Sequence, residues 1–279
     1  MIDLGNILTL AHKEFKERLR NRWVLVSALV FTLFSMAIAW LGGAQQGQVG
    51  LRSVDFTIAS LVSLVTYLVP LMALLLGYDA IVGERERGSL DLLLAMPITR
   101  LELLLGKYLG LAAALLGATL TGFSIVGVLV FRAFAWPGLE RYLGFMLSAA
   151  LLGLAFLSIA LLLSVVARER SRASGAALAL WLVFVLIFDL ALLGLLVATG
   201  GQLGAWLSGD AVGHALLLNP NDIFRIFNMV SMEEARQQYG LVSLLPEALM
   251  RPGLLLSAML AWIVTPLWAA AWSFRRVQS

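Results

Sequence analysis

The sequence predicts an all-α polytopic membrane protein with six transmembrane helices and both termini on the cytoplasmic side. Three observations carry that expectation. Of 279 residues, 61% are hydrophobic and only 13% charged, with a mean hydropathy of +0.91, too apolar for a soluble domain. Apolar runs above the ~18-residue threshold for crossing a bilayer lie at residues 23–41, 57–78, 108–131, 142–167, 176–197 and 254–271. Lysine and arginine are shared unequally between alternate loops, about fourteen against about six, and the richer side is retained in the cytoplasm. The alternating ten-residue pattern of a membrane β-barrel is absent from the sequence.

Residues 1–22 read as an amphipathic surface helix. Leu4, Ile7, Leu8, Ala11, Phe15 and Leu19 share one face, and His12, Lys13, Lys16, Glu17 and Arg20 the other. Ala37-x-Ala39 imitates a signal-peptidase site, but the polar lead and the apolar run are both too long, so the first span reads as an uncleaved anchor. A Gly/Gln-rich outer loop follows. The second span contains Pro70 and Gly77, kink sites tolerable inside a bundle.

The segment 83–102, GERERGSLDLLLAMPITRLE, is charged and turn-rich between two apolar runs. Glu84, Arg85, Glu86 and Arg87 are expected to carry the preceding helix into water. Gly88 breaks it, Ser89 offers an N-cap, and a short leucine helix runs to Pro97. At roughly 12 Å that helix is too short to span. Its leucines need either the lipid interface or a groove on a soluble partner, rimmed by Glu84, Arg85, Glu86, Arg87, Asp91 and Arg100. Thr99 and Glu102 fit a capping box that launches the third span, which begins with the close-packing spacing Gly106-x-x-x-Gly110.

Trp136-Pro137-Gly138 forms a tight outer turn, with Trp136 and Tyr142 expected at headgroup depth. Arg168, Glu169, Arg170, Ser171 and Arg172 make a second basic inner loop. Asp189 lies well inside span five, so it either serves function or accepts hydrogen bonds from a neighbouring helix. The segment 199–252 begins too apolar for a free loop at 205–207 and 215–218, and short re-entrant helices capping the bundle fit it. Asn219-Pro220-Asn221-Asp222 reads as a turn and cap, after which 223–230 and 232–239 are expected to reach the outer compartment as short helices.

Several chemistries are excluded. There is no cysteine and no G-x-x-x-x-G-K-[ST] phosphate loop, so thiolate sites and ATP binding by the usual loop are absent from the chain. His12 and His214 fall on opposite sides, which removes paired haem ligands and histidine zinc clusters. Met229, Met232 and Met250 with His214 offer soft ligands to Cu(I), or are simply core methionines. Intramembrane proteolysis needs pairs that Asp189 alone does not supply, so the chain is not expected to be an enzyme. The formal net charge of +3 sits mostly at the inner face, where it suits anionic headgroups and not a nucleic acid. A permease driven by a partner, or a structural anchor, remains. Two chains about a C2 axis would enclose a path more readily than one. The small residues of span five, Gly175, Ala176, Ala179 and Gly194, mark the expected seam, formed with span two.

The run Glu84-x-Glu86-x-Gly88-Ser89-Leu90-x-Leu92-Leu93-Leu94-Ala95-Met96-Pro97-Ile98-Thr99-Arg100 resembles the ABC-2 type transporter permeases. The outer Asn219-Pro220-x-Asp222 segment is similar to the branch of that family that serves nitrous oxide reductase maturation. The resemblance implies six spans, a homodimer, a cytoplasmic ABC ATPase dimer holding ATP and magnesium, and no cofactor in this chain. It also implies a periplasmic accessory protein against Asn219, Asp222 and Arg225. The coupling residues it implies are Glu84, Arg85, Glu86, Arg87, Gly88, Ser89, Leu90, Leu93, Leu94, Pro97 and Arg100, with Arg168, Arg170 and Arg172 in the second inner loop. The implied cargo is a sulfur species for copper–sulfur cluster assembly. The other reading is a non-transporting mechanotransmitter.

Overall fold

Sixty-seven helical residues, Arg100–Val166 (α6), would measure about 100 Å if straight, roughly three times the apolar thickness of a bilayer. The chain avoids this by folding at Ala135, whose φ of 54° is the only positive value at a non-glycine residue among those described. Two antiparallel arms result. The Tyr108 hydroxyl donates to the Leu154 carbonyl at 3.1 Å, and the Tyr142 hydroxyl to the Phe123 carbonyl at 3.0 Å. Phe123 and Phe145 meet edge to face with ring centroids 5.1 Å apart. The fold falls beside Trp136-Pro137-Gly138, where the sequence places a turn. Tyr142 is fully buried inside the hairpin, where its hydroxyl finds a partner.

The computed structural model describes residues 3–20, 22–41, 51, 53–198, 209–229 and 251–276. Around α6 lie α1 (Leu4–Leu19), α2 (Arg22–Leu41) and α3 (Val54–Gly77), then the short α4 (Val82–Glu86) and α5 (Ser89–Leu94). After α6 come α7 (Arg170–Leu182), a π-helical turn at Val183–Ile187, α8 (Phe188–Ala198), α9 (Gly209–Leu216), α10 (Pro220–Met229) and α11 (Pro252–Arg276). The described residues contain no strand. Among the described residues, four helical stretches are long and apolar enough to cross a membrane, Val54–Glu86, Arg100–Val166, Arg170–Leu195 and Pro252–Arg276, and the second contains both arms of the hairpin. Pro70 and Pro266 lie inside α3 and α11 without ending either helix.

The surface helix is not simply laid on lipid. Its protein-facing stripe is Ile7, Ala11, Glu14 and Arg18, while Leu4 and Leu8 stay 72% and 63% exposed. That stripe fits α6 because Gly106 and Gly110 carry no Cβ. One at Gly106 would lie 2.5 Å from the Leu10 Cβ, and one at Gly110 would lie 2.6 Å from the Ala11 carbonyl oxygen. The Gly-x-x-x-Gly spacing thus receives α1, and the capping-box carboxylate of Glu102 reaches on to accept from the Asp3 amide at 2.6 Å.

The segment before α11 departs most from expectation. α10 does not reach outward but packs against α3, α6 and α11, with Phe224 fully buried. Asn219 caps it, accepting from the Asn221 amide at 3.0 Å, and Pro220 supplies a first position that needs no donor. The tip between α9 and α10 sits deep: Asn219 donates to the Phe184 carbonyl at 2.8 Å, and Trp262 donates to the Leu217 carbonyl at 3.2 Å. Phe184 lies fourteen residues from Arg170, about 21 Å along the helix. The expected helix at 232–239, with Met232 and Met250, lies outside the described residues.

Gly110→Ala is predicted to lift α1 from α6, since its Cβ would meet backbone on one side and the Glu14 stem on the other. Overpacking of this kind costs about 1–3 kcal/mol. The expected result is a lower thermal midpoint and faster proteolysis of the first twenty residues in detergent, while Gly117→Ala, facing open space, should change neither.

Candidate functional site

Polar chemistry gathers in two places. The first is the end of the bundle carrying α1, α4 and α5, hereafter the charged end. There the Lys107 ammonium lies 3.0 Å from the Glu14 carboxylate of α1 and 3.2 Å from that of Glu84 in α4. The Lys107 and Glu14 side chains are each only 6% exposed, and Glu84 12%. Arg18 completes the cluster at 3.0 Å from Glu14, one helical turn on. Burial alone raises the Glu14 pKa, but Lys107 and Arg18 more than offset it, and the group ends below its ordinary 4.5. Glu84 follows the same balance, with Ser89 and Lys107 outweighing burial.

The expected solvated rim is therefore mostly an internal clamp. Arg85 spreads its guanidinium over the end of α6, donating to the Ala167 carbonyl at 2.8 Å and to the Val165 carbonyl at 3.2 Å. Arg100 does the same for α11, donating to the Phe274 carbonyl at 2.9 Å. Both cations satisfy carbonyls left over at a helix C-terminus and sit at its negative end. Ser89 is not an N-cap; its hydroxyl donates to the Glu84 carboxylate, and Gly88, at φ 70°, makes the turn before α5. Where α3 breaks before α4, the buried Ser164 hydroxyl accepts from the Ile81 and Val82 amides at 2.8 and 3.1 Å.

The second inner loop joins this clamp through Arg170, paired with Asp79 at 3.0 Å, while the Arg170 amide donates to Glu86 at 2.6 Å. Arg168 is exposed, and Arg172 makes only an exposed pair with Glu169. Of the α5 leucines, Leu90 is buried and Leu93 and Leu94 pack inward, contrary to their expected role at a partner. The outward face belongs to Leu92 and Met96, 70% and 55% exposed one turn apart, with Arg87, Asp91 and Pro97 also exposed around them. Sequence reasoning missed Glu14, Asp79, Lys107 and Ser164 as site residues. The spacing Ile7-Ala11-Glu14-Arg18, a single helical stripe, was the available signal for Glu14.

The second place is around α10. Asp189 is not solitary: its carboxylate pairs with Arg225, which also lies 3.3 Å from Asp222. Asn219 and Asp222, 0% and 3% exposed, are unsuited to the outer partner contact expected of them, and Arg225 is largely enclosed with them. Two carboxylates share one guanidinium here, and burial, helped by the neighbouring Asp189, pushes Asp222 up to about 7 against the pull of Arg225. Asp189 Oδ1, Asp222 Oδ2, Arg225 Nε and both amide atoms of Asn221 are buried without a hydrogen-bond partner. Asn228, two turns beyond Asn221 on the same face of α10, is satisfied by Ser148 of α6 at 2.9 Å.

A family model described as ABC-2 family transporter protein matches residues 8–278. A protein of Pseudomonas aeruginosa described as probable ABC transporter permease protein NosY is 46% identical over 269 residues, covering 95% of this chain and 94% of the relative. The protein of the same description from Stutzerimonas stutzeri is 42% identical over 279 residues, covering 98% of this chain and 99% of the relative.

The charge cluster predicts a pH signature. With Glu14 and Glu84 lowered, their stabilisation is complete above pH 4.5 and is lost as pH falls through the lower native values. Lys107→Met should cost about 3–5 kcal/mol by leaving two carboxylates buried without their shared cation. Their native pKa values should then rise, so the variant's thermal midpoint should increase from pH 8 to pH 5 more steeply than that of the wild type, in which burial already pushes Asp222 up to about 7. Thermal unfolding across that range checks it.

Proposed function

The chain belongs to the ABC-2 family of transporter proteins, as a multi-pass protein of the bacterial inner membrane, and from that premise we propose that it is a permease subunit driven by a separate cytoplasmic ABC ATPase dimer. In this reading the chain crosses six times, through α2, α3, the two arms of α6, the α7–α8 stretch and α11, with both termini and the charged end in the cytoplasm. ATP and magnesium reside on the ATPase, and the chain holds no cofactor. The α9–α10 hairpin re-enters from the outer side, where a periplasmic accessory protein completes the assembly. Two permease copies form the working unit, with membrane lipid as the remaining neighbour.

The observation that carries this reading is the division of labour in the 83–102 segment. Its charges are spent holding α4 and α5 to α1, α6 and α7, while Leu92 and Met96 stand out as an apolar contact with polar neighbours. Such a rigid mount with a greasy outward face suits a helix seated in a partner's groove. The cargo proposed is a sulfur species used to build the copper–sulfur cluster of nitrous oxide reductase. The mechanotransmitter reading also has support, because the second arm of α6 bonds both the coupling segment through Ser164 and α10 through Ser148.

Leu92→Asp together with Met96→Asp should leave membrane insertion intact and cut ATPase co-purification by tenfold or more, since buried apolar anchors are each worth about 2 kcal/mol or more. Undiminished co-purification with normal ATP turnover would sink the coupling assignment. Uptake of a labelled sulfur species into sealed vesicles, with and without ATP, separates transport from mechanical transmission.

The dimer seam is tested by cross-linking, free of background because the chain has no cysteine. α7 and α8 are the sparsely covered stretch: Gly175 and Gly194 face open space and Leu182, Ile187 and Leu190 are exposed. Single cysteines along residues 175–194 should form disulfide dimers in membranes with helical periodicity, whereas Leu33→Cys in α2 should not. Cross-links confined to α2 would overturn the seam.

A further inference from the structure

The charged end holds a cavity of about 480 Å³ that the coupling reading leaves unused, lined by Arg85, Val165, Val166, Arg168, Trp272, Ser273 and Arg276. Three guanidinium groups converge on it from three separate elements: α4, the loop after α6, and the end of α11. None of the seven lining residues is acidic. Arg276 is already oriented, its guanidinium carbon 3.6 Å from the centroid of the Trp272 ring. Arg85 is anchored by its two carbonyl bonds, and its Nε–H is left buried without a partner. Val165 and Val166 supply an apolar wall beside this cationic mouth, and Val166 and Trp272 are exposed at 62% and 47%.

We infer that this cavity binds a phosphate group, presented by an anionic phospholipid whose acyl chains run along Val166 and Trp272. Guanidinium is the side chain best matched to phosphate, since its planar fork donates two parallel hydrogen bonds to adjacent oxygens. Seven residues that pair cationic donors with apolar wall and a tryptophan at a helix end match the two chemistries of a phospholipid, charged head and greasy tail. An ordered headgroup would neutralise the charge of Arg168 and Arg276, which form no salt bridge among the described residues, beside the guanidinium of Arg85. The orientation proposed above enters only in assigning the lipid to the inner leaflet. The bound head would add a second link between the 83–102 segment and the last helix, beside the bond from Arg100 to the Phe274 carbonyl.

The test uses the full chain in detergent, with native mass spectrometry after exchange into mixed phosphatidylglycerol and phosphatidylcholine micelles. The wild type is expected to retain phosphatidylglycerol selectively. Arg168→Gln with Arg276→Gln, both at exposed positions, should reduce retention by roughly fivefold for each arginine removed. Lysine at the same positions should restore part of it. Inorganic phosphate at millimolar concentration distinguishes the source: failure to displace the lipid supports the phospholipid, and complete displacement assigns the site to free phosphate instead. Equal retention of both lipids, or retention unchanged in the double glutamine variant, overturns the proposal. Permease-stimulated ATP hydrolysis, read on the same preparations, reports separately on the coupling assignment.

Discussion

Lys107 is the interaction on which the charged end depends. A cation and two carboxylates are removed from water together, and none of the three tolerates burial alone. Because the partners come from α1, α4 and α6, satisfying the charges fixes the relative positions of three segments that are far apart in sequence. The surface helix, the coupling segment and the first arm of α6 therefore behave as one body. In the proposed function, a push delivered to α5 would pass through α4 to α6 along these contacts.

The same end obeys a second constraint, that backbone groups freed by a chain break near lipid must find partners within the protein. Each break here is closed by another segment. Ser164 takes the two amides where α3 gives way to α4, Arg85 takes carbonyls at the end of α6, and Arg100 takes one at the end of α11. The α10 cluster is the opposite case. Asn221, Asp222, Asp189 and Arg225 keep buried atoms unpaired, and a half-satisfied network in a low-dielectric interior needs water or another polar group to complete it. The molecule thus concentrates closed polar contacts where it must be stiff and open ones where two short helices enter the bundle.

The parts legible in the sequence were those set by neighbouring residues. The all-helical class, the Thr99–Glu102 capping box, a reversal of the chain next to residues 136–138 and the Asn219-Pro220 start of α10 all rest on chemistry within a few positions. What could not be read was pairing over distance. Asp189 was singled out correctly as unusual, but Arg225 lay 36 residues away in a segment expected outside the membrane. Glu14 and Lys107 are 93 apart, and each taken alone looks like a solvated charge. The Gly106-x-x-x-Gly110 spacing announced a close neighbour without naming α1. The α5 leucines failed for a related reason: four leucines among six residues, on a helix of under two turns, carry no periodicity, so only packing reveals that Leu92 points out and Leu93 in.

The second arm of α6 joins the two polar regions. Ser164 holds the coupling segment and Ser148 holds Asn228 of α10, sixteen residues or about 24 Å apart along one uninterrupted helix. A helix of that length transmits displacement with little loss, because its own hydrogen bonds must break before it can shorten. On the proposed function, motion of the 83–102 segment would be delivered to α10, the element carrying Asn221, Asp222 and Arg225. Both proposed readings, transport and mechanical transmission, would use this lever and differ only in the fate of the Arg225–Asp189 pair at its far end. Mechanical transmission would keep the pair closed so that α10 moves as one piece with α8, whereas transport would require the pair to part and expose its polar groups beside α8.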